Sequence, residues 1–198
     1  NSVGKVLVIV NCSRRKSVDM KEVKRRLGRV PGFDLENEEW YREVLSDLVK
    51  PALDMYDGPE FRVLRSFRDC IDVFVLSARY GVVSGDRLII PYDAYLGNAN
   101  EFIIQRWAVY GNPDLRRLIG GRWDYAIIRL TRTYMNYFRR LVVNPCVLGG
   151  KIHVITARGY TLNCGNAVYH FVRGPGDSQS VLRRLLIGLC PSISNYSK

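Results

Sequence analysis

The sequence predicts an α/β fold: a three-layer α/β/α sandwich with a central, mostly parallel sheet of four or five strands. Three observations predict it. Four apolar runs with β-branched enrichment stand at Lys5 to Asn11, Asp72 to Ser77, Tyr125 to Leu130 and Lys151 to Thr156, and they read as strands buried on both faces. Helix-period segments lie between them, and this alternation favours parallel strands joined by crossovers. At 198 residues, 47% hydrophobic, the chain can bury one good core and is short for two, so one domain is expected over residues 1–198.

The elements follow in order. After the first strand, Met20, Val23 and Leu27 form a narrow apolar stripe on a short helix otherwise covered by Lys21, Lys24, Arg25, Arg26 and Arg29. Residues Gly28 to Glu39, with Pro31-Gly32 and clustered acids, read as a surface loop that can screen this basic helix. A helical pattern is expected over Trp40 to Met55, with apolar positions at Trp40, Val44, Leu48 and Val49 and Pro51 marking a break or a new first turn. Phe61, Leu64 and Phe67 give a short helix before the second strand. Phe102 to Ile119 holds one or two helices interrupted at Gly111-Asn112-Pro113, and Tyr134 to Val142 another. Val168 to Val172 is a candidate fifth strand. After the Gly174-Pro175-Gly176 turn, Ser178 to Leu189 closes the chain as a helix capped by Ser178 or Asp177.

Charge narrows the function classes. The formal net charge is +11, divided as +7 in residues 1–30, −7 in 31–60 and +11 in the remainder, and 23 of the 30 cations are Arg. Arginine's planar fork suits phosphate and its guanidinium stacks on bases, which points to nucleic acid or phosphorylated ligands. The competing reading is an Arg-rich solvated surface on a heat-adapted protein. No apolar run approaches the ~20 residues of a membrane span, and Val6 to Val10 is too short for a signal-peptide core, so a soluble cytoplasmic protein with no membrane contact is expected. The five cysteines form no CxxC pair and only His153 and His170 accompany them, so no metal site is expected, and the thiols read mostly as buried small hydrophobes in a reducing compartment. No glycine-rich phosphate loop occurs, which argues against ATP hydrolysis, and no cofactor is expected.

In open parallel sheets ligands bind beyond the carboxyl ends of the strands. Here the first strand ends in Cys12-Ser13-Arg14-Arg15-Lys16, the second in Ser77-Ala78-Arg79-Tyr80-Gly81, the third in Thr131-Arg132-Thr133-Tyr134 and the fourth in Thr156-Ala157-Arg158-Gly159-Tyr160. If the strands are parallel, these tips converge: hydroxyls and Arg forks for phosphate, Tyr rings for bases. Alternatively, Tyr80 and Tyr160 cover the sheet end and the arginines are solvated. Lys16, beside two guanidiniums and partly buried, is driven toward the neutral amine, a nucleophile for an electrophilic carbon. Cys12 is the rival nucleophile. The plainer alternative is that Cys12 and Ser13 pack the strand end while Arg14, Arg15 and Lys16 bind phosphate as simple charges.

The segments "NCSRRK", "PALDMYDGPEFRVLR", "FVLSARYGVV" and "IIPYDAYL" together resemble a CSxxK-motif family of archaeal, bacterial and phage proteins. That family is similar to the YaaA peroxide-stress proteins and to the domain of archaeosine synthase in which a lysine engages a modified base of transfer RNA. The likeness covers the first half of the chain and thins beyond Leu96. It implies a fold like that of uracil-DNA glycosylases, and a base-binding pocket lined by Cys12, Ser13 and Lys16 with Tyr56, Ser77, Arg79, Tyr80, Tyr92 and Asp93 as its walls. Arg79 stands where the family often has Lys, and residues 18–39, the basic helix and acidic loop, look like an insertion between the first two motifs.

Three functions compete. The first is an enzyme acting on a base or nucleotide of DNA or RNA, with Lys16 as nucleophile or electrostatic stabiliser, Cys12 as its rival and Asp93 as general base or water-positioning group. The remaining candidates, Ser13, Arg14, Arg15, Arg132, Tyr134, Arg158 and Tyr160, would bind the substrate. The second is a non-catalytic module that recognises damaged or structured nucleic acid, and the third an enzyme of free nucleotides or nucleosides.

Overall fold

The run Val6 to Val10 is buried along its whole length, none of its residues more than 2% exposed. Successive side chains of a strand point to opposite faces, so helices must cover both sides of it. The structure, a computed structural model, describes residues 5–110 and 112–191. In chain order its elements are β1 (Val6–Asn11), α1 (Met20–Leu27), α2 (Glu38–Val44), β2 (Lys50–Pro51), α3 (Ala52–Met55), α4 (Pro59–Ser66), β3 (Ile71–Ser77), β4 (Gly81–Ser84), β5 (Leu88–Ile89), α5 (Glu101–Tyr110), α6 (Asn112–Gly120), β6 (Trp123–Arg129), α7 (Arg132–Leu141), β7 (Gly149–Thr156), β8 (Ala167–Phe171) and α8 (Pro175–Leu189).

The main sheet has six strands in the order β4-β3-β1-β6-β7-β8, one more than the upper expectation. Five run parallel, with Val6 opposite Ile71, Leu7 opposite Ala126, Ala126 opposite Ile152 and Ile152 opposite Ala167. The addition is β4, antiparallel to β3, formed by residues that the sequence presents as loop. Gly81, at φ 80°, lies opposite Ser77 in that pair and takes the left-handed conformation that lets a tight reversal follow β3. Helices complete a three-layer α/β/α domain: α4 and α8 pack together, α8 lies on β7, and α5 and α6 lie over β4.

Three local expectations are corrected. Trp40 to Met55 breaks at Pro51 as the sequence suggests, α3 starting directly after it, but the first helix is shorter than expected: α2 ends at Val44, Ser46–Leu48 forms a 3-10 turn, and Lys50–Pro51 pairs with β5. The last helix starts three residues earlier than expected, with Gly174 rather than Ser178 or Asp177 at its cap; Pro175 occupies the first turn, where a missing N–H costs nothing. Four of the five cysteines are not thiols: Cys70 is bonded to Cys190 and Cys146 to Cys164, leaving Cys12. The break between α5 and α6 falls as the sequence suggests, although Gly111 itself lies outside the described residues. Among the described residues no helix is long and apolar enough to cross a membrane.

Candidate functional site

The chain crosses from β1 to β3 on one side and later returns to the other side of β1 as β6, so the sheet changes winding direction between β1 and β6. Loops leaving two such strands diverge and leave a crevice at their carboxyl ends. A cavity of about 450 Å³ lies there, lined by Asn11, Cys12, Arg14, Asp93, Ala94, Tyr95, Thr131 and Tyr134. The Asn11 carboxamide bridges its floor, accepting the N–H of Thr131 at 3.0 Å and donating to the carbonyl of Cys12 at 3.1 Å. Cys12 Sγ lies 3.3 Å from the hydroxyl of Tyr134, which also accepts the N–H of Leu96. Burial holds the Tyr134 hydroxyl well above its usual range, so it stays protonated.

Lys16 organises the loop behind Cys12. Its ammonium donates to the carbonyls of Ser13 at 2.6 Å and Arg14 at 2.9 Å, and lies 4.8 Å and 5.5 Å from the ring centroids of Tyr92 and Tyr56. Lys16 and Tyr56 form an isolated antiparallel bridge, flanked by hydrogen bonds from Ser17 N–H to Met55 carbonyl and from Asp57 N–H to Arg15 carbonyl. The Ser13 hydroxyl donates to the Arg15 carbonyl and accepts the N–H of Gly58. A Cβ at residue 58 would stand 3.0 Å from that of Ser13, so a larger residue there would press the two segments apart. Burial lowers the Lys16 ammonium below its usual 10.5 and Arg14 adds to the lowering, against the pull of Cys12 and Asp93. The expected direction therefore holds, but desolvation drives it more than crowding by cations.

The second strand end lies beneath the cleft rather than on its rim. Ser77 Oγ caps the turn by accepting the N–H groups of Arg79 and Tyr80, and shares a hydrogen bond of 2.8 Å with Tyr92, whose hydroxyl is 2.6 Å from that of Tyr56. Tyr56, Tyr80 and Tyr92 are fully buried and meet edge to face, Tyr92 against both of the others. They cannot stack on a base without the core opening. Arg79 is also withdrawn from any phosphate: its side chain is wholly buried and donates to Glu38 Oε1, Asp34 and the Gly32 carbonyl, while Tyr80 donates to both oxygens of Glu38. The acidic loop expected to screen the basic helix instead supplies the counter-charge of this buried guanidinium. The basic helix finds other partners: Glu22 takes Arg25 and Arg26, Asp47 takes Arg26 again, and Arg29 stacks over Trp40 and Tyr41.

The expected single rim is thus two neighbouring hollows. Cys12, Arg14, Asp93 and Tyr134 meet in the first, with Ser13 and Lys16 in the loop behind it, while Arg15 points outward and faces Asp57 at 3.7 Å. Arg132, Arg158 and Tyr160 line the second, between the ends of β6 and β7, and Thr131 lines both. The sequence reading did not choose Asn11 or Tyr95 for the first, nor Arg129 and Arg173 for the second. Tyr95 was within reach, since it lies inside the "IIPYDAYL" segment. A further hollow beside the start of β3 holds two internal ion pairs, Arg68 with Asp54 and Lys5 with Asp72. Among the described residues no group of three His, Cys, Asp or Glu side chains is placed to hold a metal ion.

No curated protein and no solved structure matches the chain. One family model does, described as a family of unknown function, DUF6884. Its match covers residues 38–146, from the Glu38 that holds Arg79, through Asp93 and the Tyr134 of the cleft, to Cys146, and begins after the Cys12 to Lys16 loop. Spanning more than half of the 198 residues, this match makes the chain a member of the DUF6884 family.

Proposed function

We propose that the protein binds nucleic acid and acts on a base or nucleotide taken into the cleft between the ends of β1 and β6, with Cys12 and Asp93 as the reacting groups. The observation that carries this reading is the cleft itself. It has the volume of a small-molecule site and stands where the winding of the sheet reverses. A thiol, a carboxylate, a guanidinium and two tyrosines meet on its walls. Tyr95, half-exposed at its mouth, is the ring available for stacking on a base. Cys12 offers the cleft a sulfur nucleophile and Asp93 a carboxylate that can position water or take a proton. Lys16 serves the site as a positioning residue, because its ammonium is committed to two carbonyls of the loop that carries Cys12. The resemblance of that loop to the CSxxK family supports the same substrate class.

The test is incubation with single-stranded DNA and RNA oligonucleotides containing every base, read by mass spectrometry of the strand and of any released base. Conversion by the wild type that is lost in Cys12→Ser or Asp93→Asn, with affinity kept within a few fold, supports catalysis in the cleft. The commitment of the Lys16 ammonium also favours the second reading, a binding module. Salt-sensitive binding with no altered strand would select it, and absence of binding to either nucleic acid would overturn both readings.

A further inference from the structure

The second hollow, about 330 Å³, lies where β6 and β7 run side by side, Arg129 opposite Ile155. Four guanidiniums line it, from Arg129, Arg132, Arg158 and Arg173, together with Thr131 and Thr156, and no carboxylate is among its lining residues. Arg129 is answered by Glu60 at 3.2 Å. Among the described residues the guanidiniums of Arg132, Arg158 and Arg173 form no ion pair, and the one nearby carboxylate, Asp177, accepts the backbone N–H of Arg173 at 3.1 Å; Arg132 lies over the Tyr160 ring at 5.2 Å. This contrasts with much of the remaining arginine surface, where Arg25, Arg26, Arg42, Arg62, Arg65, Arg68 and Arg87 each meet an acid. Three unanswered like charges in one concavity repel each other, and an anion seated among them would remove that repulsion. Two helices also begin here: α7 at Arg132, capped by Thr131, and α8 at Pro175, capped by Gly174. Neither has a side-chain hydrogen bond at its cap, and both cap residues, Thr131 and Gly174, line the hollow.

We infer that this hollow is a phosphate subsite, in which Arg132, Arg158 and Arg173 hold one phosphate group of the ligand whose base enters the neighbouring cleft. The inference rests on the proposed function for its base, though not for its phosphate. Thr131 lines both hollows, which makes them adjacent parts of one edge, and arginine forks match phosphate oxygens two at a time. The chemistry recognised is a phosphoryl group, from a nucleic-acid strand or from a free nucleotide.

The experiment measures binding of a fluorescent single-stranded oligonucleotide over a range of salt, with inorganic pyrophosphate titrated separately. It compares the wild type, an Arg132→Gln/Arg158→Gln/Arg173→Gln variant, and a control that removes exposed charge elsewhere, Lys21→Gln/Lys24→Gln. The triple variant is expected to lose about ten- to a hundredfold in oligonucleotide affinity, and its salt dependence to flatten by about one phosphate contact, while the control changes little. Thermal unfolding should show the triple variant folded, since all three side chains lie at the surface. Equal losses in triple variant and control, or none in either, would overturn the subsite while leaving the base-binding reading intact. If the oligonucleotide does not bind but pyrophosphate does, and the triple variant abolishes it, the subsite stands and nucleic acid is the wrong source of phosphate. Failure of both probes on the wild type overturns both.

Discussion

The Lys16 ammonium lies 4.8 Å from the centroid of the Tyr92 ring, and the Tyr92 hydroxyl is in turn hydrogen-bonded to Ser77 and Tyr56. One contact thus joins the loop after β1, the segment before α4, the end of β3 and the Pro91 to Asp93 stretch. Lys16→Met keeps the apolar stem and removes the charge, leaving the Ser13 and Arg14 carbonyls without their donor. It should cost about 1–3 kcal/mol by urea unfolding. The pH dependence has a definite sign. Because burial lowers the folded value below 10.5, the unfolded chain keeps the Lys16 proton over a window in which the folded chain has lost it, so stability rises with pH through that window. The wild type should therefore gain stability relative to Lys16→Met as pH approaches 10.5, and parallel curves for the two proteins would show that the ammonium is not buried.

Arg79 and Glu38 should behave as one unit. Arg79→Met strands the Glu38 carboxylate in the interior and is expected to destabilise by about 3–5 kcal/mol, whereas adding Glu38→Gln should recover part of that loss rather than double it. The acid limb tests the same network through Asp34. Burial pushes its carboxyl up, but hydrogen bonds from Tyr41, Asn37 and the Gly32 N–H, together with the Arg79 charge, hold it at about 2 against an ordinary 3.8. Its contribution is complete above 3.8 and is lost as pH falls toward 2. The stability gap between wild type and Asp34→Asn should close over that interval.

β1, β3, β6 and β7 were legible because a mostly buried apolar run carries its own signature, and these strands and the more exposed β8 all begin and end within two residues of their expected bounds. What the sequence hid was long-range. An arginine after a strand looks like a surface residue until Glu38, 41 residues upstream, is seen to fold against it. The pairing of Ser77 with Gly81 that begins β4 reads locally as a turn, since only the β3 edge makes it a strand. The two parts of the candidate edge differ in the same way. Cys12, Asp93 and Tyr134 can be found from strand ends and motif likeness. The separation of Arg132 and Arg158 from them follows from strand order, which no local pattern records.

Cysteine pairing is another long-range fact with a direct readout. Titration of the unfolded, non-reduced protein should give one thiol, Cys12, and five after reduction. The Cys70 to Cys190 link closes a loop of 120 residues and should contribute about 3–5 kcal/mol; the Cys146 to Cys164 link closes 18 residues and should contribute less, about 2–3 kcal/mol. Urea midpoints of Cys70→Ser and Cys146→Ser, compared under non-reducing conditions, check the order. Two equal shifts would remove loop length as its cause.

Asn11 offers the sharpest separation of site architecture from general stability. Its side-chain carbonyl holds the N–H of Thr131, the cap of α7, and its amide holds the Cys12 carbonyl, so one carboxamide fixes the spacing of the two loops that form the cleft. Asn11→Leu fills the space but satisfies neither group, and should cost about 1–2 kcal/mol. Asn11→Asp keeps an acceptor for Thr131 and loses only the donor. If the carboxamide sets the width of the cleft, Asn11→Leu will also speed alkylation of Cys12, which is nearly buried beside Tyr134, and Asn11→Asp will reverse much of that acceleration. Alkylation that instead tracks global stability across both variants, at matched distance from the unfolding midpoint, would mean that Asn11 supports the fold without shaping the cleft.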